Sequence, residues 1–275
     1  MPERRQLHGD RVLYPFLQRE LVETDLWLAQ LVAARLVVAL GIWFHPSTYQ
    51  QLPVLLPHVV RDSSARKSRG EEEEWGSPNQ EGLLRDDNSL IKNAIKSLRI
   101  ESTRPGFHGA SIGNGWVAAH IWQLRRDGLR ATTRPETNSF LPNLVWLPTW
   151  LASMSDRPGS FVQEFLQAIS ASLYARLPVQ PGRDQWAARA WDQFEVPSIP
   201  KSGIPHIEQL NFFEHSEIWL HRRVATIIDA TRALRGIGPP TFRPRRYRVG
   251  VEELSPSVRS GLADSLSEYI GRRAE

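Results

Sequence analysis

The chain reads as an α+β protein, mainly helical, with a small central β-hairpin-plus-helix core. Three observations predict this. Apolar residues at helical spacing dominate 17–43, 90–98 and 161–177, whereas strand-type residues gather in a glycine-punctuated stretch at 104–122. With 41% hydrophobic residues and 10 Trp in 275 positions, there is enough apolar surface for one large core or two smaller ones.

The first helix is predicted over 17–43. Leu21, Leu28, Leu31 and Val32 recur near helical spacing, and Glu20, Glu23 and Asp25 lie toward its start, where the helix dipole favours acids. Residues 31–44 are the most apolar stretch, but they number only 14 and carry Arg35, whereas a membrane span needs about 20 largely uncharged residues. A buried helix that stops before Pro46 is the expectation, with no membrane association. The next stretch, QLPVLLPHVV, is broken by Pro53 and Pro57 and reads as an irregular wrapping segment.

Over 61–80 the composition changes to RDSSARKSRGEEEEWGSPNQ, too polar to offset its own ordering. It reads as a mobile linker or a long surface loop, and its Glu71 to Glu74 run as solvated charge. This is the clearest internal boundary. It separates a helical region at 1–60 from a core region at 83–180, with the linker at 61–82 and a helical, arginine-rich region at 181–275.

Beyond it, Asp87 or Asn88 can cap a helix whose apolar face is Leu90, Ile91, Ala94, Ile95 and Leu98. Lys92, Lys96 and Arg99 fall on or beside the other face, either as an ordinary solvated surface or as cations for phosphates. The segment RPGFHGASIGNGWVAAHIW reads as a hairpin with its turn in GASIGNG, its return strand at 116–122 and His120 near the end. A polar loop, the Pro142-Asn143 step and a short apolar piece follow. Ser160 then caps a helix with Phe161, Phe165, Ile169, Leu173 and Leu177 at four-residue spacing.

With no cysteine, disulfides, zinc-thiolate sites and thiol nucleophiles are excluded, and His, Asp, Glu and Asn are left to carry chemistry. No Walker loop, no GxGxxG after a strand and no GxSxG elbow is present, which argues against nucleotide-dependent enzymes and serine hydrolases. The polar start MPERRQLHGDR has no apolar core of a secretory signal, so a cytoplasmic location is expected.

The segments AAHIW and PNLVWLP, whose His120 and Asn143 stand 23 residues apart, resemble the histidine and asparagine blocks of the HNH, or His-Me finger, nucleases. The resemblance spans about residues 116–156. It implies a ββα-like core and a metal-dependent endonuclease acting on DNA, of a kind suited to restriction or phage defence. His120 would then be the general base, Asn143 an orienting residue, and Mg²⁺ or Mn²⁺ the cofactor. A neutral imidazole suits proton abstraction near pH 7, and a divalent ion offsets charge developing on the phosphate. Family members commonly carry Asp or His immediately before the base, where this chain has Ala119; Asp156 or His108 is the candidate metal ligand instead. The alternative is a non-catalytic nucleic-acid-binding or assembly protein on a degenerate nuclease scaffold, and a protein partner in a multi-component system is compatible with either.

Two features lie further on. Glu217 and His221 stand four apart, a spacing that serves a metal or, more often, a surface pair; His206, Glu208, Glu214 and His215 lie nearby. Residues 222–248 hold eight arginines against one acid, Asp229, in a chain whose net charge is only +4. Within them Arg243, Arg245, Arg246 and Arg248 surround Tyr247, the composition of an arm that tracks phosphates and stacks on a base. A short amphipathic helix capped near Ser255 or Ser257 closes the chain.

Overall fold

The computed structural model describes residues 26–66, 75–198, 207–237 and 254–271. The first described helix, α1 (Leu26–Leu40), ends earlier than the sequence suggests. Gly41 donates its N–H to Val37 O and turns the chain, and the expected last turn of helix is instead strand β1 (Ile42–Phe44). All three β1 residues are fully buried, so the apolar run continues unbroken from helix into strand and periodicity cannot mark the switch. The predicted portion at 17–25 lies outside the described residues.

After α2 (Pro46–Gln51), residues 52–58 of the QLPVLLPHVV stretch wrap the core without helix or strand, as their prolines predict, but its last two residues depart from that reading and form strand β2 (Val59–Val60). This strand pairs in parallel with β3 (Leu84–Arg85), so both flanks of the polar stretch are anchored to the body, while 67–74 lie outside the described residues. Helix α3 (Ser89–Ala94) follows, then β4 (Ile100–Glu101) and β5 (Trp116–His120). Next come α4 (Pro135–Asn138), β6 (Leu144–Pro148), α5 (Thr149–Ser155), α6 (Phe161–Tyr174) and α7 (Asp184–Asp192). The last three elements are β7 (Asn211–Phe213), α8 (Glu217–Leu234) and α9 (Pro256–Tyr269).

Five strands form a mixed sheet in the order β4-β7-β1-β6-β5. β1 and β7 run parallel, and the other pairs are antiparallel. The expected hairpin between Phe107 and Trp116 does not form. β5 pairs along its whole length with β6, from Trp116↔Pro148 to His120↔Leu144, and β4 pairs with β7. The reason is burial: Leu144 to Leu147 of β6 are all fully buried, whereas the glycine-rich 109–115 run is mostly exposed and offers β5 no apolar partner. Phe107 still meets Trp116, edge to face at 6.2 Å between ring centroids.

The core is aromatic. Phe44, Trp146 and Phe213 of three adjacent strands meet at 5.0–5.4 Å, and Trp219 of α8 joins Phe44 at 5.8 Å. Burying each such side chain stabilises the fold by about 2 kcal/mol. One continuous apolar cluster runs from Ala33 to Tyr269. Tyr269 ties the closing helix into it, accepting from Val54 N at 3.0 Å and donating to Val54 O at 2.6 Å. Ser160 caps α6 by accepting from Gln163 N, and Ser255 caps α9 by accepting from Val258 N, as the sequence predicts. No helix among the described residues is long and apolar enough to cross a membrane.

Candidate active site

β5 is an edge strand of the five-stranded sheet, and a cleft of about 640 Å³ opens against it. One wall is β5 itself, from Val117 to His120. A second is α5, which presents Thr149, Ala152, Ser153 and finally Asp156, a helical i, i+3, i+4, i+7 stripe. The third is the start of α3 with Asp87, Asn88 and Lys92, and Arg61, Arg66 and Arg130 complete the lining. Four cations thus face two carboxylates and one histidine, a net positive cleft suited to an anionic ligand.

His120 is buried at the end of β5. Its Nε2 lies 2.8 Å from the carbonyl oxygen of Asn138, which can only accept, so Nε2 carries the proton and Nδ1 holds the free lone pair. Burial lowers its pKa to about 4, the Asn138 carbonyl opposes this, and the Arg61 guanidinium lowers it further. The ring is therefore neutral at pH 7. Asp156 stands at the lip of the cleft, accessible yet surrounded by enough protein that desolvation raises its carboxyl, while Arg61 pulls it back. Burial lowers the Arg61 guanidinium most, and of the charges around it Arg66 and Arg130 add to the shift while Asp87 and Asp156 oppose it.

Asn143 is fully buried and does not line the cleft. Its Oδ1 accepts from Trp122 N at 2.7 Å and its Nδ2 donates to Thr137 O at 3.0 Å. It clamps the backbone just after His120 to the backbone just before Asn138, and so fixes the carbonyl that holds the imidazole. This is a positioning role exerted through the main chain. His108 is exposed on the 104–110 turns and is not part of the cleft lining. Lys92 lines the cleft, whereas Lys96 lines an adjoining groove. Arg243, Arg245, Arg246 and Arg248 lie outside the described residues, as does His206. Glu217 accepts from Gln51 Nε2 at 3.1 Å and meets His215 Nε2 at 2.9 Å, which makes it part of a surface pair network.

Sequence pattern does not single out three of the cations that line the cleft. Arg61 and Arg66 belong to the stretch read as linker, and Arg130 to the polar loop after β5. Asn88, expected only as a helix cap, is a fourth contributor. It is the sole non-glycine residue with positive φ among the described residues, at 74°, and its buried Oδ1 has no hydrogen-bond partner. It does not cap α3 with its side chain; Asp86 accepts from Ser89 Oγ (2.6 Å) and Leu90 N (3.0 Å), and Asp87 from Ser89 N (3.1 Å). A left-handed backbone and an unsatisfied buried oxygen are both costly, and such costs concentrate at functional sites.

No three histidine or carboxylate side chains among the described residues converge into a metal cage. Magnesium does not need one, because it is commonly held by one or two carboxylates together with substrate phosphates and water. The carboxylate oxygens that line the cleft, from Asp156 and Asp87, fit an ion of that type better than zinc. Comparison with protein-family models, with curated proteins and with solved structures returns no match.

Proposed function

We propose that the protein is a metal-dependent endonuclease that hydrolyses phosphodiester bonds of DNA in the β5–α5 cleft. The observation that carries this reading is the placement of a neutral histidine, held by one nitrogen, in a cleft lined by Arg61, Arg66, Lys92 and Arg130. The cations bind and orient the phosphodiester and offset its charge. His120 Nδ1 takes a proton from water as the water oxygen bonds to phosphorus, and the P–O bond to the leaving sugar oxygen breaks, that oxygen being protonated by solvent. A Mg²⁺ or Mn²⁺ ion held by Asp156 with the substrate would stabilise the charge that develops on phosphate and leaving oxygen. Asn143 keeps the imidazole in register through the Asn138 carbonyl.

A second reading has its own support. Ala119 stands where a metal ligand precedes the histidine in the nucleases that this segment resembles, and it lines the cleft as an apolar residue. A cleft that binds nucleic acid without cutting it is the form this alternative takes.

Incubation of supercoiled plasmid with the purified protein and Mg²⁺ or Mn²⁺, beside chelator controls and the Asp156→Asn variant, separates the two. Metal-dependent nicking that is lost in the variant is expected. Salt-sensitive DNA binding with no nicking under any metal would replace the nuclease with the non-catalytic binder.

A further inference from the structure

Beside the cleft lies a second groove of about 390 Å³. The two share Asp87 and Lys92, so they are continuous across the front of α3. The groove adds Lys96, in the turn that follows the last residue of α3. Its opposite wall is the Gly113-Asn114-Gly115 segment and Trp116, the first residue of β5. That wall is fixed to the cleft, because Thr149 of α5 donates both its N–H (2.9 Å) and its hydroxyl (3.0 Å) to Gly115 O.

The chemistry of this groove differs from that of the cleft. Lys92 and Lys96 are exposed cations on the same groove wall, and Trp116 is a partly buried indole. Gly113 is exposed, and a Cβ placed there would meet nothing within 4 Å. Packing therefore does not require glycine at 113, and its lack of a side chain keeps the groove wide. Cations in a row beside an aromatic face, with an open backbone wall, are what an extended strand with unpaired bases needs: phosphates meet the ammonium groups and a base stacks on the ring. A base inside a duplex presents no free face to such a platform.

We propose that the groove is a binding track for a single-stranded nucleic-acid segment, which leaves the cleft over Lys92 and continues with a phosphate on Lys96 and a base on Trp116. Cutting of that strand in the cleft rests on the endonuclease reading; binding in the groove does not.

The test uses the full chain and its Lys96→Glu and Gly113→Glu variants. Binding of a labelled oligothymidylate, its RNA counterpart and a hairpin duplex is followed by fluorescence anisotropy across a salt series. Hydrolysis of the small diester bis(p-nitrophenyl) phosphate is measured in parallel with Mg²⁺. The track predicts that each variant binds the single strands at least about tenfold more weakly, and that Lys96→Glu lowers the slope of log K against log salt by about 0.7. Turnover of the small diester, which is too short to reach the groove, stays unchanged. Unaltered single-strand binding in both variants overturns the track, and so does equal weakening for single strand and duplex. If no form hydrolyses the small diester or the oligonucleotide, yet the variants lose single-strand binding, the endonuclease reading fails and the track stands. The DNA and RNA arms show which sugar the groove prefers.

Discussion

His120 and Asn143 do not touch the same space: the imidazole reaches the cleft, while the carboxamide is sealed beneath it and holds the loop that holds the imidazole. The link between them is a chain of backbone groups, from Asn143 Nδ2 to Thr137 O and from the neighbouring Asn138 O to His120 Nε2. A residue pair that reads in sequence as two partners at one site is therefore an imidazole and the buried carboxamide that mounts it.

Replacing Asn143 with alanine leaves Trp122 N–H and Thr137 C=O buried without partners. The expected loss of stability is about 2 to 4 kcal/mol, read by urea denaturation. Because the imidazole shifts with the loop, kcat falls while KM changes little. A change in KM alone would place Asn143 in substrate binding instead.

Asn88→Gly is expected to raise stability by about 1 kcal/mol, since glycine adopts φ 74° freely and removes the unsatisfied oxygen. If the residue is retained for the cleft, the same variant loses cleavage activity or weakens its dependence on Mg²⁺. Thermal unfolding beside a magnesium titration measures both, and a variant that is more stable and fully active would make Asn88 a structural accident.

Arg130 is exposed in the cleft, and its removal should not disturb the core. Arg130→Ala is expected to leave Tm within about a degree and to weaken DNA binding. It should also lower the salt slope by about 0.9 for each phosphate that the guanidinium neutralises. Equilibrium binding at several salt concentrations reads the slope directly.

His58 and His120 are both buried, and burial lowers each to a pKa of about 4. In the unfolded chain they protonate near 6.5. Between these values the unfolded state binds protons that the folded state does not, so stability is full above about pH 6.5 and declines as pH falls toward about 4. Each histidine contributes up to about 3 kcal/mol to that decline. The acid limb of kcat/KM should follow His120 in the free enzyme and fall below about pH 5. A limb centred near the ordinary histidine value would mean that the base is a solvated histidine elsewhere.

Part of the fold around the site is legible in the sequence because it depends on local pattern. The strand ending in His120, the cap at Ser160 and the helix after it all follow from short-range spacing. The partner of β5 does not, since the glycine-rich run before it signals a turn as strongly as any hairpin, while β6 wins on burial that only the fold reveals. The same holds for Arg61 and Arg66. In sequence they are charges in a polar stretch, and only long-range contacts place them at the cleft, where Arg61 N donates to Thr132 O at 2.8 Å and Thr132 Oγ1 donates to Arg61 O at 2.9 Å. Asn88 carries no sequence signal for its role beyond being a cap-type residue, because a strained φ and an orphaned oxygen are properties of the folded backbone.

Chemical rescue of the base tests the role of His120 most directly. The His120→Gly variant opens an imidazole-sized space at the floor of the cleft, and added imidazole can enter from the cleft side. If His120 is the base, this variant loses Mg²⁺-dependent plasmid cleavage by at least about 100-fold, and imidazole restores a substantial part of it with a pH dependence that follows the added base. Cleavage undiminished in the variant, or lost and indifferent to imidazole while the fold is intact by circular dichroism, would contradict a proton-accepting role for His120.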